Sequence, residues 1–574
     1  MAARMVDRRR HHDEEVLTMD DTRKTIPPIS RRTALRVTAG AALTPLLARN
    51  LGVAAQDAAT PGATPGGTPS AGGDGYFPSP IEGVPDAYYQ YPDPYRTVSE
   101  VPGKGGTVSA ALLFDKRVTS RDDNQYWQEL ETRLGVTLDA QFWPGAAYAE
   151  RMATTFAGGD FPDLIFALGL LYPQLPEFQV QGAFVDLTQY LDGEARQAFP
   201  NLAAIPGYAW ENSKLNGVLY GVPSPTSLQP NALWYRSDWL ETLGLTVPTN
   251  AAEVLGMWEA MTKNDPDGNG QADSYGLSFE RLNAVEQRFI HGMFRVPAEG
   301  YGWRLNPDGT FTNTIETEEF RASLDYMRQV WSAGVSHPDS LTQTSNEVRE
   351  QLIASRAGSG ANAFILLGFI RGEAAKINPD ARLMGLAPPG HDGGEAVTYN
   401  IGGVFGQYCI PTSIGADEVR IAELLAVTNY FAAPFGSEEY TFMKYGLEGV
   451  HHTVNEDRSR TLTLLGEQEV FGDALILGPL NVSFDPNREQ IQYAQAVMAE
   501  QVKIGIFSPT VNLYSPTAAA RGGEISQQYT DRMIAISTGR EPLSAIDDWI
   551  QDWKSRGGDE IRREYEEAYR QAQG

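Results

Sequence analysis

The tightest constraint on this chain's fold lies between residues 107 and 167, where strand-like and helix-like runs alternate across short connections. Thr107–Phe114 (TVSAALLF) reads as a first strand. From Asn124 to Leu134 the apolar side chains Trp127, Leu130 and Leu134 recur at helical spacing, and Gly135 follows as a C-terminal cap. Val136–Phe142 is a second strand, Tyr148–Phe156 a second helix ended by Gly158-Gly159, and Asp163–Ala167 a third strand apolar enough to be buried on both faces. A β-α-β-α-β order with short loops predicts an open α/β sheet with parallel strands. The same reading predicts helices near 251–263 and 316–333, strands near 361–367 and 404–410, and a helical tail over about 543–571. No repeat of fixed period is visible.

Composition removes several function classes. The 574 residues carry 46 Lys+Arg against 73 Asp+Glu, a net charge of −27. A phosphate backbone would repel that surface, so no nucleic-acid partner is expected. Cys409 is the only cysteine, which rules out an intramolecular disulfide, a cysteine-based zinc site and an iron–sulfur cluster. It sits in the strand-like run Val404–Ile410 and reads as a small buried apolar residue.

The charge is unevenly placed. Residues 1–55 carry ten basic and six acidic side chains, a net of +4, leaving −31 for the rest. Arg31-Arg32 precedes a weakly apolar run, Val37 to Ala48, and Val53-Ala54-Ala55 supplies small residues for cleavage. This predicts a twin-arginine export signal over 1–55; a basic disordered tail is the alternative. The apolar run, broken by Gly40, Thr44 and Pro45, is too short to span a membrane comfortably. With no cysteine after the signal, no lipid anchor is expected. Ala58 to Gly75 is a Pro/Gly/Thr-rich linker, and 76–104, rich in Pro and Tyr, is expected to lie extended on the surface. The folded body is expected to start near Gly105.

One segment carries metal chemistry. In Asp265-Pro-Asp267-Gly-Asn269-Gly270-Gln271-Ala-Asp273, oxygen side chains fall at loop positions 1, 3, 5 and 9, Gln271 at position 7 offers its carbonyl, and Gly270 stands at the sharp bend. That is the first part of an EF-hand loop, and it predicts a structural calcium ion held by Asp265, Asp267, Asn269, Gln271 and Asp273. The departure is at position 12, where Gly276 replaces the usual bidentate Glu, so the remaining ligands must come from Ser274, water or elsewhere. The alternative is a polar turn without metal.

Several further blocks occur in a telling order: Ala157–Asp163 (AGGDFPD), Gly182–Thr188 (GAFVDLT), Asn216–Pro223 (NGVLYGVP), Leu233–Leu240 (LWYRSDWL), the Asp265 loop followed by Tyr275-Gly-Leu277, Tyr445–His451 (YGLEGVH) and the tail Trp553–Tyr569. Together they make the chain resemble the extracellular solute-binding proteins of family 1, the carbohydrate-type receptors of ABC importers, over roughly 105–572. The subgroup it resembles is the lipoprotein-type receptors for oligosaccharides, including acidic polysaccharide fragments. Val218 departs from the family's usual Lys.

The resemblance implies an α/β protein of the periplasmic-binding-protein-like type II fold. Two lobes are joined by a multi-strand hinge around a ligand cleft that closes on its ligand. Lobe 1 is expected over 105–225 plus 361–404 and lobe 2 over 226–360 plus 405–574. Crossings are expected near Pro223–Leu228, Gly358–Ala361 and Val404–Pro411. The implied function is an exported, monomeric receptor that binds an oligosaccharide and hands it to permease subunits, without catalysis. A secreted polysaccharide hydrolase or lyase and a cell-surface adhesion protein remain the alternatives. No GxSxG, HExxH or GxxxxGK[ST] motif is present.

A sugar cleft uses aromatic rings to stack and polar groups to hydrogen-bond. Ten Trp and 25 Tyr give this chain ample rings, although half or more must serve packing. The candidate ligand residues are Asp163, Trp234, Tyr235, Arg236, Trp303, Arg304, Tyr399, Asn400 and His451. Strand alternation prevents Trp234 and Tyr235 from both facing ligand. Core packing competes for each aromatic, and pairing with carboxylates competes for each arginine.

Overall fold

The computed structural model describes residues 75–573, except 170, 281–283, 301, 416, 457 and 478–481. The expected export signal and nearly all of the linker lie outside the described residues. Those described fall in one unit, Gly62–Gly574.

The predicted β-α-β-α-β unit is present. Strand Thr107–Leu113 is flanked by Thr137–Trp143 and Leu164–Ala167, parallel to both. The connecting helix Gln125–Leu134 starts where the Asn124 side chain accepts from the Trp127 amide, and it ends at Gly135, whose φ of 69° any other residue adopts only with strain. Its buried face is Tyr126, Trp127, Leu130 and Leu134. Helix Tyr148–Gly158 stops at left-handed Gly159 in the same way. Strand Val404–Cys409 enters this sheet antiparallel, between Leu164–Ala167 and Gly221–Pro225. The five-stranded sheet thus draws on chain segments more than 200 residues apart. Cys409 is buried in it, and burial pushes its thiol well above the ordinary range.

A second sheet has Asn231–Arg236 at its centre, antiparallel to Ser359–Ala363 and to Leu383–Leu386. The predicted helices here are Ala251–Lys263, capped by Asn250, and Glu318–Ser332, capped by Thr317. The strand expected over 361–367 ends at Ala363 and turns into the helix Leu367–Ile377. The predicted helical tail is two helices, Ala545–Trp553 and Asp559–Gln573, broken at Gly557 with φ 116°.

The cores show two lobes with boundaries different from those expected. Phe364, Leu367, Ile370 and Leu383 pack with Trp234, and Leu386 packs with Leu233, so 361–386 belongs to the second lobe rather than the first. Residues from Tyr408 to Leu477 pack with Val108, Leu164 and Trp210, so that stretch belongs to the first lobe rather than the second. The crossings are therefore at 226–230, at 401–403, and after Leu477, since helix Arg488–Lys503 packs with the second lobe. The expected return near Gly358–Ala361 is a strand inside the second sheet. Local periodicity finds each strand, but which sheet it joins depends on pairing with partners far along the chain.

The segment 76–104 also departs from expectation. Tyr88 and Tyr91 are buried in the first core and Val84 in the second lobe's. Strands Tyr76–Phe77 and Asp86–Tyr88 join Val482–Phe484 in a three-stranded sheet. The Tyr91 ring packs on Phe435 and Phe484 at 4.8 and 4.6 Å. Burying such a ring stabilises by about 1.5–3 kcal/mol, enough to hold an otherwise irregular segment down.

Candidate functional site

The strands locate the cleft. Gly221–Pro225 runs parallel to Leu164–Ala167, since both oppose Val404–Cys409, and it feeds straight into the first crossing. The carboxyl ends of the parallel first-lobe strands therefore face the second lobe. Asn231–Arg236 leaves the same crossing, so the ends of Ser359–Ala363 and Leu383–Leu386, antiparallel to it, face back. Ligands of open α/β sheets bind outside such strand ends.

Two crossings form the hinge as a pair. The Thr226 amide donates to Gly403 O at 2.9 Å and the Ile401 amide to Leu228 O at 3.1 Å. Gln229 Nε2 donates to Asn400 Oδ1 at 2.8 Å and Thr398 Oγ1 at 3.2 Å. Gly403 has φ +66°, and a Cβ there would sit 2.3 Å from the Tyr208 ring, so only glycine fits.

At this hinge stand two exposed aromatic rings that the sequence reading did not single out. Phe405, 41% exposed, begins the strand just past the second crossing, its ring 6.0 Å from Phe166 at the strand end beside it. Phe507, 45% exposed, pairs in register with Asn400 at the end of the parallel strand Gly505–Phe507. The available signal was position: an aromatic next to Gly402-Gly403 has backbone freedom beside it and no helix to cover it. Exposed rings beside a crossing can stack on the apolar face of a sugar.

The predicted ligand residues are placed very differently from one another. Trp234 is buried, its Nε1 donating to Asn362 O at 2.9 Å and its ring packed on Phe364. Tyr235 lies in the core of the second lobe. Arg236 is fully buried, donating to Asp238 through Nε at 2.8 Å and Nη2 at 2.5 Å and to Ser355 Oγ at 2.7 Å. Trp303 is 2% exposed among Phe311, Trp553 and Tyr565. Arg304 is half-exposed with an ion pair to Glu319 at 3.6 Å. Asp163 accepts from the Ser109 amide at 2.8 Å and pairs with Arg420 at 2.9 Å, at the amino end of its strand, opposite the cleft. His451 is buried: the Leu447 amide donates to its Nδ1 at 3.0 Å, and its Nε2 lies 3.1 Å from Glu469 Oε2. Seven of the nine thus serve packing or ion pairing, because Trp, Tyr and Arg are also the largest stabilisers of a core.

Tyr399 and Asn400 are at the hinge. Tyr399 is buried, its hydroxyl donating to Val296 O at 2.8 Å, and it lines a cavity of about 30 Å³ together with Gln229, Asn231, Arg288, Thr398 and Gln501. Glu286 lies nearby in chain, on helix Ala284–Met293, where it accepts from the Ala361 amide at 3.2 Å. Burial pushes its carboxyl up to about 8.

The acidic loop curls on itself. Asp265, at φ 47°, accepts from the Asn269 amide at 3.1 Å and the Gly270 amide at 3.0 Å. Asn269 Nδ2 donates to Asp267 at 2.9 Å and Asp273 at 3.2 Å, while Asn269 Oδ1 accepts from the Gln271 amide at 2.7 Å. Burial, then Asp265 and Asp273, hold the Asp267 carboxyl above its ordinary range. Among the described residues no group of three or more Asp, Glu, His or Cys is gathered as a metal site. The missing position-12 Glu has a steric reason: a Cβ on Gly276 would lie 2.1 Å from Trp258 O, because the chain passes hard against helix Ala251–Lys263.

Comparison with known proteins agrees with the fold. Residues 119–364 match the family profile of bacterial extracellular solute-binding proteins. The polygalacturonan/rhamnogalacturonan-binding protein YtcQ of Bacillus subtilis is 24% identical over 457 residues, 78% of this chain and 88% of that protein. Among solved structures, an HMO-binding, ABC-transporter-associated solute-binding protein of Bifidobacterium longum infantis has a TM-score of 0.61 at 17% identity, covering 81% of this chain and 98% of that one. An EF-hand mutant of the Streptococcus pneumoniae substrate-binding protein FusA, in complex with fructo-nystose, has a TM-score of 0.58 at 14% identity, covering 81% and 99%.

Proposed function

The chain is a relative of the bacterial extracellular solute-binding proteins, and from that premise we propose that it is the extracytoplasmic receptor of an ABC importer, binding an oligosaccharide between its lobes and delivering it to a membrane permease. The observation that carries this reading is the hinge. Two hydrogen-bonded crossings at 226–230 and 401–403 join two separately packed cores, with the exposed rings of Phe405 and Phe507 beside them. Such a joint permits rigid lobes to close on a ligand, and closure buries ring faces that are otherwise costly to leave in water.

The receptor acts as a monomer and performs no catalysis in this reading. Export under a twin-arginine signal over 1–55 supplies the location; no helix of the described residues is long and apolar enough to cross a membrane. The Asp265–Asp273 loop holds a structural calcium ion. Asp265, Asp267 and Asp273 contribute carboxylates, Asn269 turns its amide oxygen to the ion, and Gln271 offers its carbonyl. Its support is the convergence of two carboxylates, Asp267 and Asp273, on the Asn269 side-chain amide, which a cation would relieve, and the EF-hand of a FusA relative. Bound there, calcium would pin the loop after helix Ala251–Lys263 and stiffen the second lobe.

The test is ligand-induced behaviour. An oligosaccharide that binds should raise the melting temperature, shrink the radius of gyration by scattering and be recovered unaltered. Recovery of cleaved or eliminated sugar would replace the receptor reading with an enzymatic one.

A further inference from the structure

We propose that the cavity beside the hinge is the innermost seat for the ligand, and that it admits one neutral hydroxyl group. The proposal rests on the sugar-receptor reading. The cavity measures about 30 Å³, room for one water-sized group. Two of the residues lining it each carry a buried atom with no partner: Arg288 its Nε, a donor, and Gln501 its Oε1, an acceptor. Gln501 is 5% exposed, so solvent does not readily satisfy it.

Much of the rest of the wall is already committed. Gln229 Nε2 serves Thr398 and Asn400, Thr398 Oγ1 donates to Gln501 O at 2.5 Å, and the Tyr399 hydroxyl donates to Val296 O. Arg288 Nη2 is paired with Glu299. The Gln501 amide is oriented by its Nε2, which donates to Asn231 O at 3.4 Å; turning it over would set oxygen against oxygen. The two unpartnered buried atoms are one donor and one acceptor, the complement of a hydroxyl, which accepts and donates at once. A carboxylate would oppose Gln501 Oε1 and would find the Arg288 charge already compensated. A buried pair built for a hydroxyl discriminates strongly against analogues that lack it, because both atoms are then left unsatisfied. The position next to both hinge crossings couples its filling to the angle between the lobes.

The test uses the full mature chain and three probes, fructo-nystose, trigalacturonate and lacto-N-tetraose, by thermal shift and then calorimetric titration. At least one should bind. Gln501→Ala and Arg288→Lys should each weaken that sugar at least tenfold, with the melting temperature of the free protein little changed. Arg288→Lys keeps a positive charge to pair with Glu299 while removing the Nε donor, so it decides the matter if Gln501→Ala folds poorly. A crystal structure of the complex should place a sugar hydroxyl between the two atoms. Wild-type affinity in Arg288→Lys, a water alone in the cavity with sugar bound elsewhere, or a carboxylate seated there would each overturn the assignment while leaving the receptor reading intact. If none of the three sugars raises the melting temperature, the receptor reading falls and the cavity assignment with it.

Discussion

Two aromatic regions of this molecule make opposite use of the same chemistry. In the second lobe Trp303, Phe311, Trp553 and Tyr565 close on one another beneath the C-terminal helices, with the Arg562 guanidinium 5.8 Å from the Trp303 ring centre. At the hinge Phe405 and Phe507 stand open to solvent. The first group is large, amphipathic and sequence-conspicuous; the second is plain phenylalanine on short strands. The difference teaches that ring type says little about ligand contact. What counts is whether another element covers the ring.

That contrast can be broken most forcefully at Trp303. Trp303→Ala should cost about 3–5 kcal/mol of stability by leaving a cavity, read as a lower urea midpoint, while the folded fraction keeps its affinity for sugar. A specific loss of affinity at full stability would move Trp303 to the ligand side. Asp238→Ala should cost roughly 3 kcal/mol, because it strands the fully buried Arg236 guanidinium, and it too should spare binding. Excess chelator should lower the melting temperature by several degrees, as expected for loss of about 2–3 kcal/mol of linked calcium binding, and calcium alone should restore it. An unchanged melting temperature would reduce the loop to a turn. Phe405→Ala should do the reverse of Trp303→Ala: about tenfold weaker sugar binding, near 1.4 kcal/mol, with the urea midpoint almost unmoved. Equal affinity would remove Phe405 from the site.

A further test concerns burial of charge rather than of rings. Glu286 keeps its proton up to about 8 when folded, whereas an unfolded carboxyl releases it near the ordinary 4.5. Between those values the native chain binds more protons than the unfolded one, so stability falls as pH rises from about 4.5 to about 8 and is level above. Glu286→Gln should flatten that slope, measured as urea midpoints at pH 5 and pH 8; an unaltered slope would place its origin elsewhere.

Much of the fold was legible because its signals are local. Trp127, Leu130, Leu134 and then Gly135 announce a helix and its end, and both appear. The block order carried the family resemblance, which the family profile and the fold bear out. Lobe membership was not legible. Val404–Cys409 joins the first sheet by pairing with residues 221–225 and 165–167, a choice no local pattern records. The tyrosines of 76–91 looked like surface decoration because their partners, Phe435, Tyr445 and Phe484, lie more than 300 residues away. The candidate ligand residues were chosen by type, and type cannot separate a ring that packs from a ring that waits.

By itself the sequence determined the alternating α/β elements, the caps that end them, the acidic surface and the oxygen-rich loop, since each depends on spacing within a few turns of chain. Only the tertiary structure decided which strands share a sheet, where the chain crosses, which rings are covered, and that Arg288 and Gln501 line one cavity from helices more than 200 residues apart. The physical reason is that burial and polar satisfaction are properties of neighbours in space, and at the hinge those neighbours come from three distant parts of the chain.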